Sequence, residues 1–560
     1  MENNHSGIPE VVTGLSVLPL FEEDPLLLKP ASLGGFSSLS IDSELSETAP
    51  LPLTMFEPTT DLVLASVLPL VAEANLASDA AIQNGPTQNG LDTLTGQQWR
   101  TNLTENSLTF KGSALADTLF LRASDENLLA FSTDGVQFEQ VDTLDFDSIS
   151  QIKIDLLGGD DQLFIDQSLS QQLTADGSLL YLGGTGQDVL FGPGPDATWN
   201  ILGQDAGTLD GAITFEGVEN LSGDINNQDT FVFGAQGRLS GLIDGGAGGF
   251  DTLVVNGESY TTISSQATGP DSGNIFLGDN ALGDHVIAYA GLEPVLINAG
   301  SAKDVVFDVT AVADEFALET DAGGGLTLRS INGTFETTVI SAPIDSLQIN
   351  AGLGDDSLTI GSLDLGAATL SVEGEAGSDT VTIAAGAALT VGALSLNAET
   401  IAVGAGAIIN SANEVELLAI ATQQTALPQA SQLVTAAALV NLNLAADSQI
   451  NAGNVLLQAQ VQSDLVIDNG TGVDSQASAA ISLAGQITSQ GNITVQSEVD
   501  HTVNLKTDEI TLDLLTTFAS VSTVDIAAAA ALSAQSGVVQ QSAMTRSEEH
   551  TSELQSLTNL

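Results

Sequence analysis

Ile149–Ile165, ISQIKIDLLGGDDQLFI, returns with changes as Ile344–Ile360, IDSLQINAGLGDDSLTI. In the second copy Leu347 and Ile349 alternate with polar neighbours, and Leu358 and Ile360 alternate again beyond a turn at Gly352 and Gly354. Period-two alternation on both sides of glycine marks β-strands with one buried face. The glycines permit positive φ, and the adjacent Asp355-Asp356 can bond the turn backbone or face a cation. The first copy repeats this grammar in Ile152, Ile154, Gly158, Gly159, Asp160, Asp161, Leu163 and Ile165. Ala116–Leu121 leads into the first copy and Ala313–Leu318 into the second, so a unit larger than one hairpin recurs at an interval of about 195 residues.

The expected fold is therefore all-β: a repetitive parallel β-helix or β-solenoid with Gly-Asp turn modules behind an irregular N-terminal leader. Composition agrees. At 560 residues the chain exceeds one ordinary core, and few aromatics with plentiful Val, Ile and Leu suit turn-dense β structure rather than disorder. The formal net charge of -62, from 72 acidic and 10 basic residues, excludes nucleic acid as a main partner. It also disfavours an anionic membrane surface, since phosphate attraction needs a basic patch. The absence of cysteine removes disulfides and thiolate metal sites.

Five segments are expected. Residues 1–90 form a leader or linker, closed by the turn-rich Gln83-Asn84-Gly85-Pro86 and Gln88-Asn89-Gly90. Residues 91–300 hold the first β module, 301–385 a partial second copy, 386–545 a β-helix of different texture, and 546–560 a foreign tail. No basic, then apolar, secretory signal stands at the start, and the apolar run from Leu62 to Leu70 is too short for a membrane span and contains Pro69. Within the leader, Phe21–Leu28 and Phe56–Leu62 resemble the LEPR-XLL motif of very large bacterial surface proteins; the motif's Arg is missing from both. An amphipathic linker with incidental Leu pairs explains them equally well.

After about Ala385, Ile409–Leu417, Ile450–Leu457 and Ile487–Val495 share a plan in which Asn or Gly turns the chain between alternating apolar residues. Their spacings suggest two coils of about 20 residues each. This pattern is similar to filamentous-haemagglutinin-type β-helices, which implies Val415, Leu417, Val455, Leu457, Ile493 and Val495 facing inward. Ile526–Leu532 could be helix by propensity or a further coil. The tail Arg546–Ser556, RSEEHTSELQS, resembles read-through translation of a sequencing-library adapter, so it is expected to pack against nothing and the chain to be the front of a longer protein.

Gly183–Phe191, GGTGQDVLF, matches the nonapeptide G-G-x-G-x-D-x-U-x of RTX proteins, with looser versions at Gly352–Leu358 and Gly374–Val381. The resemblance implies calcium. Asp161 to Asp188 and Asp356 to Asp379 are each about one coil apart, so Asp160, Asp161, Asp188, Asp355, Asp356 and Asp379 are the candidate ligands. Gly-Asp turns without metal are the plainer reading of the same residues. No catalytic constellation is legible: His5, His285, His501 and His550 share no metal spacing, and no nucleophile elbow or phosphate loop occurs. The expected function is thus a non-enzymatic, secreted or cell-surface bacterial adhesin or structural repeat protein, possessing no transmembrane segment, whose partner is an extracellular polymer, cell-surface or matrix component. The alternative is a polysaccharide-acting β-helix enzyme, a lyase or hydrolase, which would need a carboxylate cleft containing an Arg or Lys.

Overall fold

In the strand Ser346–Asn350, Leu347 and Ile349 point inward and are fully buried, while Gln348 points out. The same strand pairs in parallel with Asp304–Asp308 one coil before and Thr369–Glu373 one coil after. Repetition of that arrangement builds the computed structural model of this protein, a parallel β-solenoid. The structure describes residues 92–93, 100–104 and 107–553 apart from 125–127, 146–149, 177, 258, 279–282, 301, 322, 429–432, 469–471 and 508–514. The expected leader, with its LEPR-XLL-like pieces and His5, lies outside the described residues.

Two long sheets face one another. The first has twenty strands and runs from Asp92–Thr93 to Leu515–Ile526. The second runs from Glu139–Asp145 through Thr118–Ala123 to Val539–Glu553, and each of its strands has no more than two neighbours, so it is an open ladder. From Leu363–Asp364 onward a third, six-stranded face closes the cross-section and continues to Ala531–Ala534. The sheets pass residues 300 and 385 in register: Val295–Ala299 meets Thr338–Ile340, and Thr380–Ile383 meets Thr400–Val403. Ladder bonds satisfy the backbone while inward Leu, Ile, Val and Phe fill a narrow continuous core.

Three antiparallel meanders interrupt the winding: Thr198–Gly203 to Ile213–Glu216, Thr262–Gly269 to His285–Ala290, and Glu315–Thr320 to Thr338–Ile340. In each, the last strand joins the preceding coil and the first strand joins the following one. Each meander therefore lengthens one sheet by two strands without breaking the stack. The duplicated stretches illustrate what the sequence grammar encodes. In Ile149–Ile165 the first strand lies in the first sheet and the second in the second sheet; in Ile344–Ile360 the assignment is reversed. The repeating element is a half-coil with its corner, usable on either edge of the solenoid.

One helix, Gln167–Asp176, leaves the corner after Ile165. Asp166 caps it, its Oδ1 accepting from the Ser168 N–H at 2.8 Å, and Leu169 and Leu173 anchor one face in the core.

The C-terminal coils correct two expectations. Ile409, Ile450 and Ile487 are direct ladder neighbours, so each interval is one coil and not two of about 20 residues. The surplus residues enter long strands such as Glu414–Pro428, Asn454–Asp468 and Ile493–Thr507. Beyond the core these strands pack directly on Leu433–Leu444, Gly472–Leu483 and Leu515–Ile526, forming a two-layered fin. Val461, Val499, Ala477 and Ala479 fill it, with buried Ser463, Ser475 and His501. The six inward residues expected here are all buried. Ile526–Leu532 is a strand end, a turn and the next strand, without helix.

The second correction concerns the tail. Arg546–Glu553 does not stand free: it continues the strand Val539–Glu553 in parallel register with Asp500–Thr507. A sheet edge offers main-chain donors and acceptors in a row and recruits backbone almost irrespective of side chains. A shift in composition at Arg546 therefore produced no shift in structure. Residues 554–560 lie outside the described residues.

Candidate metal centre: carboxylate ladders at the corners

Each coil leaves one sheet and enters the next through a corner, and a corner buries amide groups that no strand can satisfy. At the edge leading from the first sheet to the second, carboxylates take that role. Asp161 Oδ1 accepts from the Asp117 N–H at 2.7 Å, Asp188 Oδ1 from the Asp161 N–H at 2.8 Å, and Glu219 Oε2 from the Asp188 N–H at 2.8 Å. The opposite edge repeats the device. Asp356 Oδ1 accepts from the Asp314 N–H at 2.7 Å, Asp379 Oδ1 from the Asp356 N–H at 2.9 Å, and Glu399 Oε2 from the Asp379 N–H at 2.8 Å. A third set on that edge has Asp229 accepting from the Ala197 N–H and Asp251 from the Asp229 N–H. Every carboxylate thus caps the coil before its own.

The two ladders that end in Glu219 and Glu399 do so for a geometric reason. Five residues separate the strand ending at Leu182 from Asp188, whereas Glu219 follows the strand ending at Glu216 by only two intervening residues. Glu399 directly follows the strand ending at Ala398. A shorter corner sets the carboxylate back, and the extra methylene of Glu restores the reach.

The nonapeptide Gly183–Phe191 is one such corner, and each residue has a structural task. A Cβ on Gly183 would sit 2.6 Å from Asp188 Oδ2, and Gly184 adopts a φ of 111°. Asp188 is the ladder member and Leu190 enters the core. Gly374 stands to Asp379 as Gly183 does to Asp188, with the same 2.6 Å approach to Oδ2.

In several ladder residues the second carboxylate oxygen carries the unusual chemistry. Oδ2 of Asp161, Asp188, Asp356 and Asp379 is buried and accepts no hydrogen bond. Burial, and then the charges of Asp188, Asp117 and Asp160, push Asp161 up to about 7 despite the stabilising bond from the Asp117 N–H. Asp356 is likewise pushed up to about 7, first by burial and then by Asp379, Asp314 and Asp355. Burial raises Asp188 and Asp379 to about 6 each. The Tyr181 hydroxyl, buried beside the first ladder, is also raised, by burial and then by Asp188, Asp161 and Glu219.

Four of the six candidate ligands are ladder members, two on each of the opposite edges, and the other two sit beside them. Asp161 and Asp188 are consecutive members of one, and Asp356 and Asp379 of the other. Asp160 and Asp355 are exposed, one outside each ladder, accepting from the N–H groups of Gln187 at 2.9 Å and Ser378 at 3.0 Å respectively. Calcium takes six to eight oxygens at about 2.3–2.6 Å, while successive ladder residues are about 4.8 Å apart. Among the described residues no group of three or more His, Cys, Asp or Glu is arranged to hold a metal. The arrangement is a hydrogen-bond ladder with unsatisfied oxygens. A cation would have to draw Oδ2 atoms of adjacent coils together with the outer Asp160 or Asp355.

Ladder members Asp117, Glu219, Asp229, Asp251, Asp314 and Glu399 escaped the sequence reading. Their signal is an acidic residue two positions before an inward apolar one, as in Asp229-Thr230-Phe231 and Glu399-Thr400-Ile401.

Two other polar features stand apart. His501 is sealed inside the fin between Ser475 Oγ, 2.8 Å from Nε2, and Ser520 Oγ, 2.9 Å from Nδ1, and burial lowers its pKa. On the outer surface of the second sheet, Phe120, Phe164 and Phe191 are in register on three coils. Their rings stack at 4.2 and 4.0 Å, and the strip ends where Ser222 follows Phe191. A cleft of about 430 Å³ beside it is lined by Arg122, Phe138, Asp166 and Asp224. Arg122 lies over the Phe138 ring, 3.7 Å from its centre.

No family model matches the sequence, and neither a curated protein nor a solved structure matches it.

Proposed function

We propose that this is a non-enzymatic adhesin or structural repeat protein of the secreted or cell-surface kind. The observation that carries the reading is the uninterrupted stack: twenty strands at about 4.8 Å make a rod about 90 Å long. A rod of this type spans distance and offers long lateral faces, which suits attachment to an extracellular polymer, a cell surface or a matrix. The dense negative charge keeps such rods apart from one another and from anionic surfaces. Among the described residues no helix is long and apolar enough to cross a membrane. Calcium belongs to the same proposal as a stabiliser of the ladders, through Asp160, Asp161, Asp188, Asp355, Asp356 and Asp379.

A second reading, a polysaccharide lyase or hydrolase, is favoured by one observation: the cleft at Phe191 combines Arg122 with two carboxylates. Incubating the chain with insoluble polysaccharides and bacterial cells separates the two. Retention on a surface without release of shorter fragments is expected. Fragment release would favour the enzyme, and retention by none of the surfaces would sink the adhesin.

A further inference from the structure

We infer that the cleft beside the Phe120–Phe164–Phe191 strip is a binding subsite for an uncharged sugar unit of a polysaccharide. This deepens the attachment role just proposed and rests on it.

The strip is unusual for this surface. Outward positions of this solenoid mostly carry Ser, Thr, Asn, Gln or acidic residues, yet three successive coils place phenyl groups at one register position. Stacking covers the faces between the rings, but the outer face of Phe191 has only Ser222 in register beyond it. A half-buried phenyl face of this kind complements the apolar C–H face of a pyranose ring.

Around that face the polar groups are mixed. Asp166 holds Ser168 through Oδ1 as a helix cap, and Asp224 Oδ1 accepts from the Ile225 N–H. Each carboxylate thus has a second oxygen outside those bonds, able to accept from a ligand hydroxyl. Arg122 is exposed, and it makes neither of the ion pairs formed among the described residues. Held on the Phe138 ring, its guanidinium offers several planar donors without needing a carboxylate to orient it. Acceptors, donors and an apolar face within about 430 Å³ match a unit of one or two sugar rings.

Charge selects among ligands. A charged ligand of either sign meets a like charge in the cleft, Arg122 for a cation and Asp166 or Asp224 for an anion, and the net charge of -62 further opposes a polyanion at long range. An apolar peptide would leave three charged groups desolvated without partners. A neutral polyol has no such conflict.

The test is calorimetric titration of the intact chain with neutral oligosaccharides of gluco, galacto and manno type, and with oligogalacturonate as the charged arm. Saturable binding of at least one neutral oligosaccharide is expected. Phe191→Ala should weaken it about tenfold or more by removing the stacking face. Arg122→Gln, at an exposed position that leaves folding intact, should weaken it by a smaller factor. Phe250→Ala removes a remote exposed phenyl and should leave the affinity unchanged. Absence of binding to every neutral sugar, or binding indifferent to both Phe191→Ala and Arg122→Gln, overturns the inference. So does preference for oligogalacturonate. Retention of the chain on a matrix in those cases would leave the adhesin standing and place its contact elsewhere.

Discussion

The N–H of Asp161 donates to Asp188 Oδ1 at 2.8 Å, a bond that joins residues 27 apart and consecutive coils. The amide is buried, so it has no water to fall back on. Asp188→Asn keeps an acceptor at Oδ1 and should stay close to the parent in stability. Asp188→Ala removes it and should cost about 1–3 kcal/mol locally, the usual consequence of stranding a buried donor. Hydrogen exchange at residues 158–165 reads this directly, and equal protection in the two variants would remove the ladder's supporting role.

The ladders also fix the sign of a pH dependence. Asp161 and Asp356 rise from an ordinary 3.8 to about 7 in the folded chain, so the folded state holds protons that the unfolded state has released. Stability must therefore increase as pH falls through about 7 and level off near 4. His501 works in the opposite direction: its lowered pKa makes the folded state lose stability below the ordinary 6.5. A melting temperature higher at pH 5 than at pH 8 is expected. Replacing Asp161, Asp188, Asp356 and Asp379 together by Asn should flatten that rise, and an unchanged slope would assign the effect to other groups.

The fold was legible because it is repetitive in its local physics. Leu347, Ile349, Leu358 and Ile360 alternate around a glycine corner, and the inward set from Val415 to Val495 follows from the same alternation. What alternation does not contain is coil length. A strand that continues past the core into the fin keeps period two, so Ile409 to Ile450 looks like two coils when it is one. The meanders were hidden for a similar reason, since antiparallel and parallel strands share one pattern. The candidate site was half legible: the coil-length intervals placed Asp161 with Asp188 and Asp356 with Asp379. The purpose of the stacking, capping the previous corner's amide, depends on backbone direction, which composition does not carry.

Adjacent residues in the long strand Asn454–Asp468 test that register. Val455 is buried against the core, and Leu456 faces the other way. Val455→Asp should cost more than about 3 kcal/mol by burying an unpaired charge, while Leu456→Asp should stay within about 1 kcal/mol. Urea unfolding followed by hydrogen exchange across residues 414–500 compares them. Similar losses for the two would refute the inward assignment.

Calcium and the ladder protons compete for the same oxygens, which makes the calcium proposal testable by pH. At pH 5.5 the carboxyls of Asp161 and Asp356, both pushed up to about 7, favour their protonated forms. A cation would have to displace those protons, and little stabilisation is expected there. At pH 8 the columns are ionised, neighbouring carboxylates repel, and a divalent ion bridging Oδ2 atoms and the outer Asp160 or Asp355 binds the folded state alone. Thermal unfolding of the intact chain with millimolar calcium or with chelator, at constant ionic strength, should then show a calcium-dependent rise at pH 8 that shrinks at pH 5.5. Magnesium, which demands a tighter octahedral set, controls for general screening of the negative charge. Asp188→Asn and Asp379→Asn, which keep the corner bond and remove a ligand charge, should each reduce the rise. Equal melting temperatures with calcium and chelator at both pH values would leave all six aspartates as hydrogen-bonded corner residues.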